Sequence, residues 1–332
     1  METKKTLGVL VKILLPLILG GAILYWMYRD FDFRNMQQVL FYETDWTWML
    51  LSFPFGVMAQ VFRAWRWRQT LVPVGENARQ CTSIYAIFVS YAVSLLIPRI
   101  GEFSRCGVLK RYDGISFSKA LGTVVTERAV DSLFILLLTA VTLLAQLRIF
   151  HTFFDETGTS MDAISHRFSM TGYLVTAVCG LAALLLLHLL LKKLSIYNKV
   201  KSTLGGIWQG VLSLRGVDNV PLYLFYTFGI WGSYFLHYYL TFFCFSATAN
   251  LGIVCALVTF VVGSIAVIVP TPNGAGPWHF AVKTMLILYG VADSSALYFV
   301  LIVHTVQTML VVALGVWGAM GLAMTSRRQQ AE

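Results

Sequence analysis

Arg99, Glu102 and Arg105 follow Pro98, and Glu127, Arg128 and Asp131 follow further on, inside an apolar run. Each ionisable group placed in a bilayer costs about 2.5–3.5 kcal/mol, so such a set has to be explained. One explanation is a site. The guanidinium forks of Arg99, Arg105 and Arg128 suit a phosphate, and Glu102, Glu127 and Asp131 would orient them or meet a cationic headgroup. The other is an ion-pair network pinning helices together. On a helix Glu127 and Asp131 share a face, and Arg128 reaches Asp131 at i+3.

A second candidate set surrounds Pro270-Thr271-Pro272-Asn273-Gly274-Ala275-Gly276-Pro277. This run cannot form regular helix. Irregular backbone at membrane depth survives only buried in protein or lining a wet cavity. An exposed turn is the plainer alternative. Pro270, Asn273, Gly274 and Gly276 would shape the break, and His279 would donate to a lipid phosphate. His237, His304 and Gln307 fall mid-helix, where helix–helix hydrogen bonding is the ordinary role. Gly315, Gly318 and Gly321 form a small-residue stripe suited to close helix packing.

Asp30-Phe31-Asp32 has the form of a metal–nucleotide-sugar motif, but it falls on the predicted outer side, where a capping or topology role fits better. His151 and Asp155 are spaced one residue short of the lipid acyltransferase motif. No Walker A, nucleophile elbow or zinc-protease motif is found. The expectation is therefore no catalytic residue, no metal and no cofactor.

The elements that carry these residues follow from composition. The chain has 332 residues, 57% hydrophobic and 12% charged, with mean hydropathy +0.70. Soluble domains run near 25% charged, so this chain belongs in lipid. Its net charge of +9 lies between apolar runs, which points to topology signals and anionic lipid rather than nucleic acid. The five cysteines show no metal or disulfide spacing.

Apolar runs long enough to cross, or nearly so, are predicted at 7–28, 46–62, 123–147, 172–191, 222–245, 251–269 and 296–325. Two more, 83–97 and 278–289, are short. The loop before 83–97 carries Arg63, Arg66, Arg68 and Arg79, and the stretch after it carries Arg99, Arg105, Lys110, Arg111 and Lys119; with both flanks cytoplasmic, that segment is predicted to dip in and return. Parity then pairs 251–269 with 278–289 as a second re-entrant hairpin entered from outside, though two full crossings would also satisfy it. This topology puts 18 Lys and Arg inside against 4 outside, with both termini cytoplasmic. Residues 93–101 faintly echo 266–276, the pattern of inverted-repeat transporters. The predicted fold class is an all-α integral membrane protein with about six crossings and two Pro/Gly-broken hairpins. It forms one membrane domain over 1–332, with repeat halves at about 46–147 and 222–325.

Ile97-Pro98-Arg99-Ile100-Gly101-Glu102-Phe103-Ser104-Arg105, then Gly114-Ile115-Ser116, then Val124-Val125-Thr126-Glu127-Arg128-Ala129-Val130-Asp131 resembles the lysylphosphatidylglycerol synthase transmembrane family. Pro270-Thr271-Pro272-Asn273-Gly274-Ala275-Gly276 resembles its second Pro/Gly motif. The resemblance implies a flippase-like domain, which in bifunctional members moves aminoacylated phosphatidylglycerol to the outer leaflet. Those members carry a soluble aminoacyl-transfer domain after the membrane part. This chain ends at Glu332 without one, so it is expected not to make the lipid. The second motif often continues to a Glu where this chain has Pro277-Trp278-His279, so a cationic headgroup need not be the cargo.

The expected function is movement of a phospholipid or lipid-linked glycan between leaflets of a bacterial-type cytoplasmic membrane. The rivals are a membrane-embedded enzyme on lipid-linked substrates, or a non-catalytic partner of a separate lipid-modifying enzyme. A homo-oligomer is a further candidate assembly.

Overall fold

The computed structural model describes residues 18–29, 33–145 and 216–331. The predicted run at 172–191, its acidic preceding loop, Asp30-Phe31-Asp32 and His151–Asp155 lie outside them. Every regular element among the described residues is helical. In chain order these are α1 (Ile18–Tyr28), α2 (Phe33–Gln38), α3 (Trp46–Leu71), α4 (Gln80–Leu96), α5 (Ile100–Asp113), α6 (Phe117–Ala145), α7 (Val220–Tyr239), α8 (Ser246–Ala249), α9 (Gly252–Ala266), α10 (Pro277–Leu288) and α11 (Asp293–Ala331).

Local chemistry sets the boundaries. Asp45 opens α3 by accepting from the Thr47 N–H at 2.9 Å, and Asn219 opens α7 by accepting from Leu222 at 2.9 Å; both satisfy an orphan donor of the first turn. α4 stops at Ile97 because a residue before proline is driven to extended backbone, and Ile97 is extended. Arg99 then turns the chain with φ 64°, a left-handed conformation that costs a non-glycine residue about 1 kcal/mol or more. Gly114 closes α5 at φ 71°.

Two helix pairs dominate the architecture. α5 returns along α4, and α10 returns along α9. Gly101 makes the first return possible: a methyl there would stand 2.0 Å from the Ser90 carbonyl oxygen. α11 packs on α4 through the glycine stripe, with Gly315 facing Ala92, Gly318 facing Phe88 and Gly321 facing Tyr85. This descending order makes the two helices antiparallel. The remaining packing runs in the same sequence in both halves. α3 packs on α4 as α7 packs on α9, α5 on α6 as α10 on α11, and α4 on α11 as α9 on α6. The α3–α7 seam joins the halves.

The two larger apolar cores among the described residues follow this division. One gathers Ala64, Trp67, Leu71, Ile87, Cys106, Leu109 and Val124 among α3 to α6. The other gathers Met49, Tyr238, Phe242, Val282, Phe299 and Val303 from the opposite end of α3 and the second half. Large apolar side chains also point outward, among them Leu133, Leu136, Phe225, Phe228, Met309 and Trp317. Among the described residues Asp293–Thr325 is long and apolar enough to cross a membrane, and only 33% of its most apolar window is buried. Ile18–Tyr28, Gln80–Leu96 and Gly252–Ala266 are apolar but shorter.

The helix limits revise several predicted ones. The run predicted to end at 62 continues as α3 to Leu71, carrying Arg63 and Arg66 inside the protein instead of in a loop. The basic stretch after Pro98 is a helix, α5. α6 starts at Phe117, so Glu127, Arg128 and Asp131 lie well inside it, not in its first turns. α7 ends at Tyr239 and tightens into a 3₁₀ turn over Leu240–Cys244.

Candidate functional site: a buried arginine–carboxylate network and a backbone break

α3, α5 and α6 bring their charges to one point. Glu127 and Asp131 are four apart on one face of α6. Glu127 Oε2 accepts from Arg105 Nη1 at 2.8 Å, and its Oε1 accepts a short bond from Arg63 Nη1. Asp131 accepts from Arg63 Nη1 and Arg66 Nη2, each at 2.7 Å. Arg66 also donates to Thr227 Oγ1 at 3.2 Å, tying in α7. Arg63, Arg66, Arg105, Glu127 and Asp131 are all buried.

Aromatic rings wall the network. Arg105 lies over the Trp67 ring at 4.6 Å, Arg66 over Tyr223 at 5.7 Å and Arg63 over Tyr234 at 6.0 Å. Such rings stabilise desolvated guanidinium groups. Trp67 is held in turn by donating to Thr123 at 2.9 Å.

Arg128 and Glu102 form the network's exposed edge, paired at 3.0 Å with side chains 44% and 33% exposed. Arg128 also reaches Glu127 at 3.3 Å.

The charges do not cancel. Three buried arginines meet two buried carboxylates, and Arg128 balances Glu102, so one positive charge is left over among the described residues. Donors are left over too. Arg105 Nη2 and Nε, Arg63 Nε and Arg66 Nε are buried without a hydrogen-bond partner. Buried polar groups are ordinarily paired, and an unpaired charged donor is costlier still.

Arg99 is not part of this network. It is exposed at the break between α4 and α5, and its Nη2 donates to the Ile268 carbonyl at 3.2 Å. That bond joins the first break to the second, since Ile268 lies just ahead of Pro270.

Within the second break Asn273 takes φ 51°, and Gly274 and Gly276 take φ 72° and 92°, conformations glycine adopts at no steric cost. Asn273 Nδ2 donates to Thr308 at 2.7 Å, and its carbonyl bonds His304 Nε2 at 3.0 Å. Because a carbonyl only accepts, His304 carries its proton on Nε2. The Gly276 N–H donates to His279 Nδ1 at 3.4 Å, and the two imidazoles lie 4.4 Å apart. Pro270 precedes this cluster without a polar role of its own. His237 bonds Ser52 across the α3–α7 seam at 2.9 Å, and Gln307 donates to the His237 carbonyl at 3.3 Å.

The structure thus joins Glu102, Arg105, Glu127, Arg128 and Asp131, places Asn273, Gly274, Gly276 and His279 together elsewhere, and uses Arg99 as the link. Sequence reasoning missed Arg63 and Arg66. Their signal was present: Arg63, Arg66 and Trp67 recur at helical spacing directly after an apolar run, continuing α3 inward.

An outward apolar surface, an inward charged network and two broken helix pairs that touch define a membrane protein that is helical throughout its described regular elements, with a candidate polar site inside. A family model for the lysylphosphatidylglycerol synthase TM region matches residues 13–315, and the chain belongs to that family, whose members are membrane proteins of lipid metabolism or transport. No curated protein and no solved structure matches it.

Proposed function

We propose that this protein moves a phospholipid or lipid-linked glycan between the leaflets of the cytoplasmic membrane, acting as a transporter and not as an enzyme. The observation that carries the reading is the unbalanced buried charge, with Arg105 Nη2 left unpaired. A lipid phosphodiester brings one negative charge and free acceptor oxygens, which is what the network lacks. A headgroup crossing hydrocarbon alone pays the desolvation cost of its charge. Buried guanidinium groups on a route between leaflets replace that water and lower the barrier.

The helix pairs supply the route. At 1.5 Å per residue, the 17 residues of α4 and 14 of α5 reach about 26 and 21 Å, and the 15 of α9 and 12 of α10 reach about 22 and 18 Å. Each falls short of a hydrocarbon core of about 30 Å. This supports two re-entrant hairpins meeting mid-membrane, from opposite sides, at Arg99 and Ile268. The parallel packing of the two halves supports an inverted repeat about the α3–α7 seam. Glu102 and Arg128 form the outer gate of the network, and the Asn273–His279 break faces it as the second half of the path. Both termini lie in the cytoplasm.

The test is reconstitution. Purified protein in liposomes carrying headgroup-labelled lipid in both leaflets should expose inner-leaflet label to an impermeant quencher, without nucleotide. Arg105→Lys, which keeps charge but loses the second fork, should slow exposure at least fivefold. The reading fails if label accessibility stays at the protein-free level across anionic, aminoacylated and polyprenyl-linked lipids with and without a proton gradient.

A further inference from the structure

A cavity of about 390 Å³ opens at the α3–α7 seam, apart from the buried network and lined by Trp65, Arg68, Gln69, Gln80, Leu222 and Tyr226. Trp65, Arg68 and Gln69 lie at i, i+3 and i+4 on α3, so they share one face, while Arg63 and Arg66 point to the other side of the helix. Two side-chain atoms in this wall are buried without a partner: Trp65 Nε1, a donor, and Gln69 Oε1, an acceptor. Arg68 is anchored through Nε, which donates to the Ala78 carbonyl at 2.8 Å. Its terminal nitrogens remain for the cavity. Trp65 and Tyr226 rings stand 5.8 Å apart as the cavity's aromatic wall. The rim includes the exposed apolar side chain of Val72, and exposed Phe225 adjoins it, 6.0 Å from the Tyr226 ring.

We infer that this cavity is a docking site for a glycerophospholipid whose headgroup carries a hydrogen-bond donor. The rim is apolar on the side that faces acyl chains, and the single cation is fixed where a phosphodiester would sit. Trp65 Nε1 supplies a second donor to the phosphate or ester oxygens. Gln69 Oε1 needs a donor in return, which a hydroxyl or primary ammonium headgroup offers and a trimethylated one does not. The site lies at the end of α3 marked by the Arg79–Asp113 pair at 2.7 Å and the Lys119–Glu76 pair at 3.1 Å. Tyr226 adjoins Thr227, the residue bonded to Arg66, so the docked headgroup would sit one helix position from the buried network. The inference deepens the transport reading by assigning it a loading site, and rests on that reading for its purpose but not for its binding.

The test is lipid binding by the full chain in detergent, followed by native mass spectrometry with phosphatidylglycerol and phosphatidylcholine of identical acyl chains. Phosphatidylglycerol should bind at least fivefold more tightly. Arg68→Ala should weaken phosphatidylglycerol binding about tenfold, and Gln69→Leu should erase the preference while sparing most phosphatidylcholine binding. Both variants should elute as monodisperse as wild type. Lys283→Ala, at a distant pair with Asp293, should bind as wild type. Equal affinity for the two lipids, or unchanged binding by Arg68→Ala, overturns the assignment. Displacement of lipid by millimolar inorganic phosphate would also overturn it, in favour of a free-anion site. Selective binding without lipid movement in liposomes would instead sink the transport reading and leave this site standing.

Discussion

The two halves solve the same problem, interrupting helices inside a membrane protein, with opposite chemistry. Around α3, α5 and α6 the interior is held by full charges, and both carboxylates of the network, Glu127 and Asp131, are shared between arginines. Around α9, α10 and α11 the interior is held by neutral groups: an imidazole pair, an amide and backbone carbonyls. The charged half has its break outside its polar cluster, at Arg99. The neutral half has its break as its polar cluster. Charge fixes geometry strongly but cannot easily rearrange, whereas neutral hydrogen bonds exchange partners at modest cost. On the proposed reading, the first half holds the anion and the second changes shape around it.

That contrast can be broken first at Glu127. Glu127→Gln strips a charge from between Arg63 and Arg105, and losing one partner of a buried pair costs about 3–5 kcal/mol. We expect little monodisperse protein and a melting temperature far below wild type. His304→Phe, the matching lesion in the neutral half, removes one hydrogen bond, at about 1 kcal/mol. Similar losses in thermal denaturation would erase the distinction between the halves.

Gly101→Ala tests whether the first pair is locked by backbone proximity. With the new methyl against the Ser90 carbonyl, α5 must shift from α4. Overpacking of this kind costs about 1–3 kcal/mol, so we expect a clear fall in melting temperature and faster proteolysis within α5.

Smaller effects sharpen the functional side of the comparison. Arg128→Ala removes a half-exposed pair with Glu102, worth at most about 1 kcal/mol, and a peripheral contact to Glu127, which keeps Arg63 and Arg105. Melting should barely move while lipid movement drops several-fold; a parallel fall in both would make the pair structural. Arg99→Gly relaxes a left-handed residue and deletes the link to Ile268. Stability should stay within about 1 kcal/mol, and any change should be seen in transport rate alone.

Much of this was legible in the sequence. Composition gave an all-helical membrane class, and Pro98 and Pro270–Pro277 marked both breaks because proline and glycine act through local backbone sterics. Glu127 and Asp131 were placed on one face by helical spacing alone. Arg63 and Arg66 were misread because their meaning is non-local. A basic residue after an apolar run looks like a cytoplasmic flank until its carboxylate partners, far along the chain, are seen. For the same reason Arg99 was grouped with Arg105. Neighbours in sequence around a break turn out to serve different contacts, one reaching into the second half and the other into the first.

The separation between Arg63 and Glu127 is 64 residues, and this has a consequence for how the protein is made. When α3 leaves the ribosome, Arg63 and Arg66 have no counter-charge, since α6 has not been synthesised. Holding them in lipid unpaired would cost about 2.5–3.5 kcal/mol each on insertion scales. The last turns of α3 must therefore wait at the aqueous edge of the membrane, with Arg63 and Arg66 hydrated, until Glu127 and Asp131 emerge. Only then are the partners present that hold Arg63, Arg66 and Arg105 together in the folded protein. The expected consequence is a two-step biogenesis of this half, in which a ribosome stalled before residue 127 leaves α3 shallow and accessible to water.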